Sequence, residues 1–103
     1  MIKVYVMYPN EEGKPFDMDY YLGTHIPLVQ ARLGAALKSV GVEAGVAGVS
    51  PEGDPAYVTV GWLVFDSLDA FQSAFRPHAD EILGDIPNFT MIQPVIQIFE
   101  VKV

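Results

Sequence analysis

The chain carries two histidines, His25 and His78, and each stands beside groups that can move or hold a proton. Histidine is the side chain whose ordinary pKa places its charge change close to neutral pH, which makes it the first candidate for general acid/base chemistry. His25 lies in the run Phe16-Asp17-Met18-Asp19-Tyr20-Tyr21-Leu22-Gly23-Thr24-His25-Ile26-Pro27-Leu28. On a helix of about 100° per residue it sits at the side of an apolar stripe, with Tyr21 one turn before and Arg32 two turns after on the same flank. A neutral imidazole there can exchange a proton in enolisation, cyclisation or isomerisation, while the Tyr21 hydroxyl bonds a developing oxyanion. The purely structural alternative has His25 bracing the helix by bonding carbonyls freed near Pro27. His78 follows Pro77 and precedes Asp80 and Glu81. That setting suits either a second acid/base group or a solvated side chain near a helix terminus.

Tyr20, Trp62 and Phe89, with Arg32, complete a candidate substrate-binding set, since aromatic walls select flat or hydrophobic ligands. Trp62 suits two roles, walling a pocket or anchoring a subunit contact. A metal site is not expected, because two histidines more than fifty residues apart, with no convergent carboxylates, match no standard ligand spacing. No cofactor is expected either, although haem needs only one axial histidine and an apolar pocket and stands as an alternative.

These residues must be held by a domain of 103 residues, half of them hydrophobic, which is enough for one core without disulfides. The absence of cysteine removes thiolate nucleophiles, iron–sulfur ligation and cysteine zinc sites together. A formal charge of −7, with no Lys/Arg cluster, argues against nucleic acid and anionic membranes as partners. The first residues alternate like a strand, without a basic leader and apolar core, and no apolar run reaches the roughly 20 residues of a membrane span. A soluble, cytoplasmic protein is the expectation.

Ile2 to Tyr8 alternates as a first strand, and Pro9 to Pro15 breaks it. Asp17 is a fitting N-cap for a helix with Leu22, Ile26, Val29, Leu33, Ala36 and Leu37 on its apolar stripe, kinked or split at Pro27. Ser39 to Val49 reads as a glycine-diluted strand, residues 50–55 as a loop and Ala56 to Phe65 as a third strand. Ser67 caps a second helix with Leu68, Phe71, Phe75, Ala79 and Ile82 or Leu83 at helical spacing, interrupted by Pro77 and ended by Asp85-Ile86-Pro87-Asn88. Met91 to Val103 supplies the last strand, with Pro94 at an edge, bulge or strand start. The order β-α-β-β-α-β predicts an α+β, ferredoxin-like domain spanning residues 1–103, with one four-stranded antiparallel sheet and both helices on one face.

Both faces of the third and last strands are apolar. Val58, Val60, Trp62 and Val64 alternate with Tyr57, Gly61, Leu63 and Phe65, whereas a solvated sheet face normally turns polar. Two helices cover one face, so a second copy is the simplest cover for the other, and a homodimer with sheets packed face to face is expected.

The opening Ile2-Lys3-Val4, the segment Phe16-Asp17 through Tyr21 with His25-Ile26-Pro27-Leu28-Val29, and Asp85-Ile86-Pro87-Asn88-Phe89-Thr90 with Gln93-Pro94-Val95-Ile96-Gln97 resemble the EthD family. The resemblance covers nearly the whole chain and implies a dimeric α/β barrel, in a family named for a protein of ethyl tert-butyl ether degradation. Related barrels include cofactor-independent monooxygenases, polyketide cyclases, muconolactone isomerases and haem-degrading enzymes, and a related cyclase subfamily uses a histidine in the region of His78. The reductase label some members carry finds no cofactor motif here, for Gly41, Gly45 and Gly48 do not precede a helix. Two readings follow. One is a cofactor-independent enzyme of cyclase, isomerase or monooxygenase type acting on a hydrophobic or aromatic carbonyl compound. The other is a non-catalytic ligand-binding or accessory dimer of an oxidative pathway.

Overall fold

The computed structural model describes residues 1–49 and 53–103, so the first three residues of the expected loop at 50–55 lie outside the described residues. Strand β1 (Ile2–Pro9) pairs antiparallel with β3 (Tyr57–Phe65) on one side and β4 (Val95–Glu100) on the other, and β2 (Ser39–Ala44) joins β3. The resulting order β2-β3-β1-β4 is that of a ferredoxin-like sheet. Two expected strands are shorter than read. β2 stops at Ala44 instead of Val49, where glycines offer little to pack, and β4 begins after Pro94, which has no N–H to give a ladder.

Partners opposite each other in an antiparallel pair share a face. Register therefore places Ile2, Val4, Val6 and Tyr8 with Phe65, Leu63, Gly61 and Thr59 on one side. Their neighbours Lys3, Tyr5 and Met7 stand with Val64, Trp62 and Val60 on the other. The first side carries the helices, and its core joins Ile2, Val4, Val29, Leu33, Phe65 and Ile82. On the second side the Lys3 ammonium lies 4.3 Å from the centre of the Trp62 ring. A Cβ at Gly41 would collide with that indole, so the glycine lets the ring lie across β2.

The first helical run covers residues 18–36. Asp17 caps it, its carboxylate accepting from the Tyr20 amide at 3.1 Å. Pro27 does not split this run as the sequence suggests. An α-turn (Met18–Tyr20) passes into a π-helical segment (Tyr21–His25), then into an α-helix (Ile26–Leu33) and a closing 3₁₀ turn (Gly34–Ala36). The physical reason is the missing amide and ring bulk of proline, which disturb the i→i−4 ladder. The wider π turn, with the Ile26 amide on the Tyr21 carbonyl, carries the chain past it without leaving helical dihedrals. One consequence is rotational: Leu22, expected on the buried stripe, is half exposed, and Tyr21 and His25 are buried.

The second run begins at Ser67, whose hydroxyl accepts from the Ala70 amide at 3.1 Å. Helix Leu68–Phe75 is interrupted at Pro77 by a 3₁₀ turn (Arg76–His78), resumes as Ala79–Gly84 and gives way to another 3₁₀ turn (Ile86–Asn88). No helix of the described residues is long and apolar enough to cross a membrane.

Phe65 is the fully buried pivot between the sheet and both runs. Phe65→Ala should lower the unfolding free energy by about 3–5 kcal/mol, read from the denaturant midpoint with little change in slope.

Candidate active site

His25 does not bond carbonyls near Pro27. Its ring is buried, and its Nδ1 lies 2.9 Å from Oδ2 of Asp85, sixty residues along the chain. The other carboxylate oxygen, Oδ1, accepts from the Tyr20 hydroxyl at 2.7 Å and from the Asn88 amide nitrogen at 2.9 Å. An ionised carboxylate only accepts, so the histidine donates through Nδ1–H, and in the neutral ring Nε2 then keeps a lone pair. Among the described residues Nε2 has no hydrogen-bond partner. The imidazole is thereby oriented by a carboxylate, an arrangement that suits a general base.

Backbone contacts lock the two halves of this site together. The Asp17 amide donates to the Phe89 carbonyl at 2.9 Å, Phe16 and Thr90 form a β-bridge, and the Thr90 hydroxyl donates to the Pro15 carbonyl at 2.9 Å. Aromatic rings fill the space between. Tyr21 stacks on His25 with centroids 5.5 Å apart, and Phe89 packs against the imidazole at 4.7 Å. Tyr8 meets Tyr21 and Phe89 edge-on. Gly61 stands below, where a Cβ would collide with the Tyr21 hydroxyl.

A cavity of about 130 Å³ runs between the helices and the sheet, with Tyr8, Tyr21 and His25 in its wall and apolar side chains for the remainder. Leu83 and Ile96, which border it, are 42% and 48% exposed, so the cavity opens to solvent beside them.

Burial pushes the Asp85 carboxyl up, but the hydrogen bonds from Asn88, Tyr20 and His25 and the histidine's charge outweigh it, leaving the group below the ordinary aspartate range. The Tyr20 phenol is raised, first by its bond to Asp85. Burial pushes Tyr21 up to about 12 and Tyr8 higher still, so both remain protonated donors at neutral pH.

Tyr20, Tyr21, His25 and Phe89 thus come together in one place. Trp62 is among the residues that border the cavity, but its ring lies on the opposite face of the sheet, beside Lys3. Arg32 forms a two-pronged pair with Glu81, at 2.7 and 3.1 Å, which ties the two helical runs together at the surface. His78 sits in the 3₁₀ turn and is not part of the cavity wall. Asp85, Asn88 and Tyr8 escaped the sequence reading. Asp85 and Asn88 look like ordinary helix-end residues, and Tyr8 like one more inward position of a strand. Among the described residues there is no cluster of three His, Asp or Glu groups that could hold a metal ion.

The profile of the EthD domain matches residues 12–92. A crystal structure of an EthD-like protein from Ralstonia eutropha JMP134 is 49% identical and superposes with a TM-score of 0.94, covering 99% of this chain and 92% of that one. An EthD family protein from Bacillus halodurans C-125 is 20% identical, with a TM-score of 0.69 and 99% of each chain covered. A dimeric ferredoxin-like protein of unknown function from Thermobifida fusca YX is 16% identical, with a TM-score of 0.64, over 97% of this chain and 90% of that one. Among curated proteins nothing matches.

The pKa shifts fix the signs of pH dependence. Asp85 ionises below its ordinary value of 3.8 when folded, so it stabilises the fold above that value and loses this contribution as pH falls through the lowered one. Tyr21 is the reverse case: its contribution is complete below pH 10.0 and is lost as pH climbs toward about 12. Melting temperature against pH should show a shallower acid limb in Asp85→Asn and a shallower alkaline limb in Tyr21→Phe.

Proposed function

The chain belongs to the EthD family, and we propose that it acts on a small hydrophobic or aromatic carbonyl compound by acid/base chemistry that needs no cofactor. The observation that carries this reading is the bond of the half-buried Asp85 to the buried His25, a residue in the wall of an apolar cavity whose Nε2 has no partner among the described residues. In the proposed step Nε2 takes a proton from the carbon next to the carbonyl. The C–H electron pair becomes the C=C bond of an enolate and the carbonyl pair moves onto oxygen. Tyr21 donates a hydrogen bond to that oxygen, and Asp85 holds the imidazolium until the proton returns to the same or another atom. His25 and Tyr21 are the catalytic residues, Asp85 a positioning residue, and Tyr20 and Asn88 hold Asp85. Water-poor surroundings strengthen each of these interactions.

The outer sheet face supports a homodimer. Tyr5, Met7, Val60, Trp62, Val64 and Phe99 share it, and both helical runs lie on the other side. A second copy laid sheet to sheet would hide it, consistent with the dimeric ferredoxin-like proteins of the same fold.

Solvent deuterium incorporation at the methyl group of acetophenone, followed by NMR, tests the chemistry. The wild type should exceed the buffer rate, His25→Ala should fall to it, and Asp85→Asn should lose at least about tenfold, in line with the usual size of an acid/base contribution. Undiminished exchange in a folded His25→Ala variant contradicts the proposal. Light scattering at micromolar concentration should give twice the chain mass, and a monodisperse monomer contradicts the dimer.

A further inference from the structure

Tyr8 and Tyr21 are 1% and 2% exposed, and both stand in the cavity wall. Their rings meet edge-on with centroids 5.9 Å apart. Buried hydroxyls nearly always find a partner, because leaving one unmade forfeits its hydration with nothing in return. Among the described residues neither of these two hydroxyls has one, and neither oxygen is sealed off from the cavity; the fully enclosed hydroxyl without a partner is that of Thr59. Two donors of the same kind without a protein partner, on rings in edge contact in an otherwise apolar wall, suit an acceptor that arrives with the ligand.

We propose that the hydroxyls of Tyr8 and Tyr21 form a paired donor site for one ligand oxygen, and that this pair selects an uncharged, single-ring ketone while rejecting carboxylates. The inference rests on reading the cavity as a ligand site. A carbonyl oxygen has two lone pairs and accepts both donors at once. As negative charge builds on that oxygen during enolisation, the two bonds strengthen together, which makes Tyr8 a further catalytic residue beside Tyr21.

Size and charge narrow the ligand further. A cavity of about 130 Å³ is on the scale of apolar cavities, about 150 Å³, that hold a benzene ring. Apart from His25 and the two tyrosines its wall is built of Val, Ile, Leu, Phe, Gly and Trp, with no lysine or arginine to neutralise an anion. Asp85 stands directly behind the imidazole, and the chain carries a formal charge of −7. A carboxylate would therefore enter without a counter-charge and against a negative field.

Three probes of nearly equal shape separate the possibilities: acetophenone carries the carbonyl, isopropylbenzene has no oxygen, and benzoate is charged. Binding to the full chain is measured by NMR titration or calorimetry at neutral pH, in the wild type, Tyr8→Phe and Tyr21→Phe. Acetophenone should bind at least about fivefold tighter than isopropylbenzene, and benzoate at least about tenfold weaker than acetophenone. Each Phe variant should lose about two- to tenfold in acetophenone affinity, the usual worth of one hydrogen bond, and bind isopropylbenzene as the wild type does. The hydrocarbon is thus the internal control for an intact cavity. Acetophenone binding no tighter than isopropylbenzene overturns the donor pair while leaving the cavity as a ligand site. Equal loss of both probes in Tyr8→Phe gives that residue a packing role and overturns the proposal, as does benzoate binding tightest. Failure of all three to bind the wild type overturns the ligand site and the donor pair together.

Discussion

The carboxylate of Asp85 is the point on which the site depends. It accepts three side-chain hydrogen bonds, two from the first helical run, through Tyr20 and His25, and one from Asn88 a turn beyond it. A carboxylate this enclosed is favourable only while its oxygens are satisfied, because removing one partner leaves a desolvated charge behind. The constraint works in both directions. Asp85 sets the tautomer and angle of the imidazole, and the bonds it receives hold residues 85–92 against residues 15–20, where the Asp17–Phe89 and Thr90–Pro15 contacts complete the seam. The aromatic cluster of Tyr8, Phe16, Tyr21 and Phe89 is packed inside that seam, so the proposed chemistry and the folding draw on the same contacts.

The π turn at Tyr21–His25 is the second element of this design. A helix that met Pro27 with a regular ladder would have to bend. By widening by one residue it stays helical and turns Tyr21 and His25 inward together, leaving Leu22 at the surface. Gly61 answers from the sheet, for the Tyr21 hydroxyl occupies the space that any larger residue would need. The local irregularity and the missing side chain are two halves of one fit.

The strand order, the two caps and the inward faces were legible in the chain because each is a local matter: alternation for strands, Asp17 and Ser67 ahead of apolar stripes, proline where a ladder must change. The apolar outer face was legible for the same reason, since period-two alternation in β3 shows two apolar sets without showing where the helices lie. What could not be read is contact between distant segments. His25 was visible as a candidate, but its partner is sixty residues away and looks like any aspartate at a helix end. Tyr8 hides in a strand pattern that treats it as core. Arg32 shares the flank of His25 on a regular helix, yet the π turn shifts that registry and Glu81 captures the guanidinium at the surface. Trp62 was placed correctly in its alternation and lies on the face away from His25 because the register of β1 with β3 decides which set faces the helices.

The proposed chemistry requires that Asp85 fix the His25 ring with Nδ1 protonated and Nε2 facing the cavity. Nitrogen-15 chemical shifts of the His25 ring, recorded at a pH where the imidazole is neutral and again with acetophenone added, test it most directly. The expected result is a protonated, hydrogen-bonded Nδ1 and an unprotonated Nε2 whose shift alone moves strongly with the ligand. A ring protonated at Nε2, or one whose two nitrogens average rapidly and ignore the ligand, would contradict it.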